Sequence, residues 1–222
     1  MSTCVFTKPC VDQEIKSLSV SDPYNFISGL EGYVNEQISN TTYDFIANKS
    51  LLKLYQCYPE LQSIDKIAQV LVLSLMRLPS TDYLALSCLV PGRLMASNQN
   101  LKAIQTCSDL LESGKFPEVW DHIRSCPDAF NVKSFNDRIR AFILGNMCLT
   151  FRNTKVEQFC QMLSLSESEV MQLSASCPGQ FEVKSGVVTF HSTETHGAGN
   201  KFEGSLRLDE ILRLMKTVKT IE

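Results

Sequence analysis

Phe181-Glu182-Val183-Lys184-Ser185-Gly186-Val187-Val188-Thr189-Phe190-His191 holds two short β-like runs, Phe181–Lys184 and Val187–His191, on either side of Ser185-Gly186. A two-residue loop fixes the register of a hairpin. Lys184 then faces Val187, Val183 faces Val188 and Phe181 faces Phe190, which places both apolar pairs on one face of the ribbon. Upstream, three helix openings follow one another. Ser134 with Asp137, Thr154 with Glu157 and Ser166 with Glu169 all have capping-box spacing. In such a pair the hydroxyl takes an orphan backbone N–H, and in the last two the glutamate can reach back to the cap residue's own N–H. Cys177-Pro178-Gly179 stops the third helix, because proline cannot continue it and glycine tolerates positive φ. Three helices and a wing read as a winged-helix module over residues 134–191.

The chain before this module is helical throughout. Asp22-Pro23 opens a helix whose stripe is Phe26, Leu30, Tyr33 and Val34, with Gln37 beyond. Tyr43–Tyr58 carries Ala47, Leu51, Leu54 and Tyr55 at helical spacing, and Pro59 ends it. Gln62–Leu78 places Ile64, Ile67, Ala68, Leu71, Val72 and Leu75 on one side, and its middle is apolar nearly all round, the pattern of a helix packed on several sides. A shorter helix through Leu89 ends at Pro91-Gly92. Another runs from about Asn98 to Ser113 with Gly114 as its stop, and a third from Phe116-Pro117 to Cys126-Pro127. Helix starts recur about every 18 residues, so antiparallel pairs recur at roughly 36, within the range of helical solenoids. The expected fold is mainly α: a right-handed, HEAT/TPR-like helical-repeat segment over 22–133, followed by the winged-helix module with its small β-hairpin and a C-terminal helix.

Residues 1–21, irregular and containing Pro9, read as a flexible tail. Residues 192–222 read as a polar, glycine-rich linker followed by an amphipathic helix from about Leu206. Leu208, Ile211, Leu212, Met215 and Val218 form the stripe of that helix, which either folds back on its own module or joins partner helices in a bundle. With Val187 and Thr189 of the hairpin, whose edge offers unpaired backbone groups, this stripe is the candidate partner interface.

Composition narrows the function. The chain has 222 residues, 44% hydrophobic and 20% charged, with a formal net charge of −3, which argues against a dedicated nucleic-acid binder. From Thr154 to His191 the basic residues are Lys155 and Lys184, against Glu157, Glu167, Glu169 and Glu182. The helix before the wing has no Lys or Arg, the wrong sign for a surface approaching phosphates, so no direct DNA contact is expected. A basic strip at Arg138, Arg140 and Arg152 reads equally as an RNA contact or a solvated helix face. Nine cysteines are scattered without a CxxC pair, and no secretory signal precedes them. They read as reduced thiols of a cytoplasmic protein with access to the nucleus. Ile67–Met76 is too short and too interrupted to span a membrane. Cys160, Cys177, His191 and His196 do not have zinc-site spacing. No phosphate loop, carboxylate pair or nucleophile signature stands out, so neither a cofactor nor an enzymatic activity is expected. What remains is a surface for other proteins.

Particular runs carry a resemblance. Tyr43-Asp44 with Ala47-Asn48, Leu52-Lys53-Leu54-Tyr55-Gln56 ending at Pro59, and Leu78-Pro79-Ser80-Thr81-Asp82-Tyr83 are followed by Asp109-Leu110-Leu111-Glu112 with Phe116 and Trp120. Phe135 with Asp137, Arg138, Phe142 and Ile143 completes the set. Together they resemble the PCI domain, spanning about 43–205, of the family shared by the proteasome lid, the COP9 signalosome and eukaryotic translation initiation factor three, and most specifically its initiation-factor branch. The resemblance implies a non-catalytic subunit in the PCI/MPN core of a complex that binds the small ribosomal subunit and helps recruit initiator tRNA and mRNA. It also implies the other subunits of that factor as partners, subunit L first, with ribosome contact made through the complex. A small PCI subunit of the proteasome lid or signalosome is the alternative, and a winged-helix nucleic-acid regulator the next.

Overall fold

The computed structural model describes residues 23–176, 179–184 and 186–190. The expected tail, linker and C-terminal helix lie outside the described residues, as do Cys177-Pro178, Ser185 and His191. The helical segment comprises α1 (Pro23–Asn40), α2 (Phe45–Cys57), α3 (Ile64–Leu75), α4 (Asp82–Ser87), α5 (Gly92–Ser97), α6 (Gln99–Glu112) and α7 (Phe116–Ser125). The winged-helix module comprises α8 (Phe135–Thr150), β1 (Asn153–Lys155), α9 (Val156–Leu163), α10 (Glu167–Ser176), β2 (Phe181–Lys184) and β3 (Val187–Phe190). Among the described residues, no helix is long and apolar enough to cross a membrane.

Helix α3 is the axis of the first segment. Val70, Leu71, Val72, Leu73, Ser74 and Leu75 are all buried, so every face of its C-terminal half meets protein, as its all-round apolar middle requires. Ser74 is accommodated by donating its hydroxyl to the Leu71 carbonyl at 2.7 Å. Helices α1, α4 and α6 pack on it. Ile64, expected on its apolar side, is instead exposed at the first turn. Between α1 and α2 the buried amides of Gln37 and Asn48 exchange two hydrogen bonds, each 3.1 Å. Gln37 Oε1 also accepts from the Asp44 backbone N–H at 2.9 Å, and Asp44 caps α2 by accepting from the N–H groups of Ile46 and Ala47. These polar groups are buried without penalty because each finds a partner.

Pro91-Gly92 does not simply stop a helix. Helix α4 already ends at Ser87, short of the expected Leu89, and the Pro91 carbonyl accepts from the N–H groups of both Leu94 and Met95, so the dipeptide starts α5, an element absent from the sequence reading. Asn98 caps α6, accepting from Asn100 and Leu101 N–H, and Gly114, the expected stop, ends the α6 turn at φ +73°.

The wing has the expected register, with Phe181 opposite Phe190, Val183 opposite Val188 and Lys184 opposite Val187. Gly186 takes φ +76°, a conformation that side-chain-bearing residues rarely adopt. The sheet holds a third strand, however. β1 pairs antiparallel with β3, giving the order β1-β3-β2. Thr154 therefore lies in a strand opposite Val188 and does not cap α9, whose first turn has no side-chain cap. Ser134 also fails as a cap: it precedes α8 in the left-handed region at φ 63°, with no side-chain bond to the helix. Only Ser166 with Glu169 forms the box. Glu169 accepts from the Ser166 N–H at 2.8 Å and from its hydroxyl at 2.7 Å, and these bonds hold the Glu169 carboxyl below its ordinary range.

Phe181, Phe190 and Phe159 of α9 form a cluster with ring centroids 5.2 to 6.3 Å apart, and Phe159 and Phe181 are essentially inaccessible. One contiguous set of buried residues runs from Phe26 through α3, α6 and α8 to Phe190, so the helical segment and the wing share a core. Replacing Phe181 by Ala is expected to cost about 3–5 kcal/mol in urea or thermal unfolding, the range for truncating a buried phenylalanine. A loss under about 1 kcal/mol would contradict the cluster.

Candidate partner interface

Helix α9 touches α7, α8, α10, β1 and β3. It is only eight residues long, and its C-terminal carbonyls would be orphans without partners from elsewhere. All four find one. The Leu165 N–H donates to Cys160 and the Ser164 N–H to Gln161, with Ser164 in the left-handed region at φ 50°. The Trp120 indole N–H donates to the Met162 carbonyl at 2.8 Å, and Arg140 Nε donates to the Leu163 carbonyl at 3.2 Å. The Arg140 guanidinium also lies over the Trp120 ring, 5.4 Å from its centroid. A cation is thereby placed at the negative end of the α9 dipole. Trp120 belongs to α7 and Arg140 to α8, so one helix end ties the helical segment to the wing.

This geometry reassigns part of the basic strip: Arg140 is a structural clamp, further paired with Asp137 at 3.4 Å. His122 is also structural, its Nε2–H donating to the Ala103 carbonyl at 2.9 Å and its ring edge-on to Phe130.

The outer face of the sheet carries Val187 and Thr189, both exposed. Their strand is central, with its edges paired to β1 and β2, so β3 offers side chains and no free edge. An added strand could pair only with the outer edge of β1 or β2. Val187 sits opposite Lys155 on one side and Lys184 on the other, an apolar spot between two cations. Leu208, Ile211, Leu212, Met215 and Val218 lie outside the described residues. On α10, Met171 is exposed beside an acidic first turn of Glu167 and Glu169. The structure places no Lys or Arg on that helix.

Chemistry elsewhere is quiet. Among the described residues, no group of His, Cys, Asp and Glu side chains is arranged to hold a metal ion. Cys160 is half-buried, and Cys177, His191 and His196 lie outside the described residues. Burial pushes the Cys107 thiol up to about 12, which makes it a core hydrophobe at neutral pH. Asn48, in an Asn-Lys-Ser glycosylation pattern, is fully buried in its amide pair with Gln37.

Comparison with known proteins gives a consistent picture. The model of a family described as CSN8/PSMD8/EIF3K matches residues 62–196. A Dictyostelium discoideum protein named eukaryotic translation initiation factor 3 subunit K is 31% identical over 201 residues, covering 89% of this chain and 80% of the relative. Relatives of the same name are 32% identical over 144 residues in Drosophila erecta, 64% of each chain, and 27% identical over 206 residues in Anopheles gambiae, 92% of each chain.

Replacing Trp120 by Phe keeps most of the buried ring but leaves the Met162 carbonyl without its donor. The variant is expected to lose about 1–3 kcal/mol of stability in chemical denaturation. A loss within about 0.5 kcal/mol would show that the bond does not tie the two segments.

Proposed function

The chain belongs to the CSN8/PSMD8/EIF3K family, and we propose that it is a non-catalytic scaffold subunit of the eukaryotic translation initiation factor 3 complex. The observation that carries this reading is the match, along most of both chains, to a relative named subunit K of that factor. On this reading the complex binds the small ribosomal subunit and promotes recruitment of initiator tRNA and mRNA in the cytoplasm, and this chain serves it by holding neighbouring subunits, subunit L first. The free edges of the sheet, the outward side chains of Val187 and Thr189, and the Leu208–Val218 stripe are the surfaces for that role.

Two physical features support a protein partner over a duplex. The helix preceding the wing is acidic in its first turn and lacks cations, so it repels phosphates at the position where winged helices read DNA. Arg140, the half-buried member of the basic strip, is spent on the α9 terminus.

Affinity purification of the tagged full chain from gently lysed cells, followed by mass spectrometry, tests the proposal. Initiation-factor subunits in stoichiometric amounts, with subunit L most abundant, are expected. Proteasome-lid or signalosome subunits in their place would keep the fold and replace the assembly, and recovery of a free monomer would contradict a scaffold role.

A further inference from the structure

A second feature joins the helical segment to the wing and is not used by the clamp at α9. A cleft of about 610 Å³ opens between the α1–α2 turn, the C-terminal end of α3 and the start of α8. Leu73, Met76 and Val132 give it apolar walls, and Arg77 and Arg138 line it from the two sides of the segment boundary. Both arginines are exposed, and among the described residues neither makes an ion pair. Arg77 is held over the Tyr43 ring, 5.6 Å from its centroid, so its position is set by stacking and its donors stay uncommitted. The Tyr43 hydroxyl is buried and lies beside the Asp82 carboxylate. Burial, and secondarily the nearby Asp82 carboxylate, push this phenol up, so it stays a donor.

We propose that this cleft receives a carboxylate from an acidic, otherwise apolar peptide segment of a partner protein, gripped between Arg77 and Arg138. Guanidinium groups bind carboxylates through paired, charge-assisted hydrogen bonds, and the cleft volume lies in the range of ligand sites. The acids lining it set the kind of anion. Asp44 is committed to the N–H groups of Ile46 and Ala47 and to the Tyr33 hydroxyl, while Glu36 is exposed in the lining. With Glu36 and Asp44 in the lining and Asp82 beside Tyr43, the two arginines suit one acidic side chain set among apolar ones and not a run of acids. They do not form the continuous positive track that a nucleic-acid backbone follows. The inference does not depend on which assembly the chain enters.

The test uses the isotope-labelled full chain and three probes: a capped hexapeptide of alternating leucine and glutamate, the same peptide with glutamine for glutamate, and hexauridylate. The glutamate peptide is expected to shift the amide resonances of Thr42–Asp44 and those around Arg77 and Arg138. Arg77→Gln and Arg138→Gln should each weaken it about fivefold or more, a direct reading of the lost ion contact. Because both side chains are exposed, the melting temperature of either variant should match that of the parent. Absence of shifts at the cleft, equal binding of the glutamine peptide, an unchanged affinity in both variants, or binding of hexauridylate in the peptide's place would each overturn the proposal.

Discussion

Four carbonyl groups at the end of α9 set the terms for the rest of the molecule. An eight-residue helix ends with as many unsatisfied acceptors as it has internal bonds, and burying them unpaired would cost several kcal/mol. Two are closed locally by the left-handed turn at Ser164. The other two are closed only if α7 brings Trp120 and α8 brings Arg140 to the same place. The position of the wing against the helical segment is therefore a hydrogen-bond requirement as well as a matter of apolar contact. The Phe159–Phe181–Phe190 cluster fixes the hairpin to α9 by apolar packing.

A rigid joint of this kind suits a protein that presents surfaces at fixed angles. The sheet face with Val187 and Thr189 and the cleft at Arg77 and Arg138 are both set by the relation of wing to helices. On the proposed scaffold reading, such fixed geometry places each neighbouring subunit relative to the next. The acidic first turn of α10 adds discrimination, since it opposes the phosphate contacts that the same fold makes elsewhere.

Much of this was legible in local pattern. The hairpin register follows from a two-residue loop, and the helix stripes follow from periodicity, because both depend on neighbours in sequence. Most of the exceptions depend on residues far apart in the sequence. Thr154-Glu157 and Ser166-Glu169 have the same spacing, but only the second forms a box, because Thr154 is recruited into a strand by Val188, 34 positions later. β1 itself carries no alternating apolar signal in Asn153-Thr154-Lys155 and exists through pairing with β3. Helix α5 was hidden by Pro91-Gly92, which reads as a helix stop and here begins one. Trp120 read as one more apolar residue on a helix face and Arg140 as part of a basic strip. Their shared role bridges 42 and 23 positions to α9, a distance at which sequence spacing carries no signal.

The central claim is that the α9 clamp makes the helical segment and the wing one cooperative unit. Native-state hydrogen exchange with increasing urea tests it most directly, comparing the slowest amides of α9 with those of α6. The clamp predicts that both sets open through the same global event, with matching free energy and urea dependence. Exchange of the α9 amides through an opening about 2 kcal/mol or more cheaper than that of α6 would contradict it.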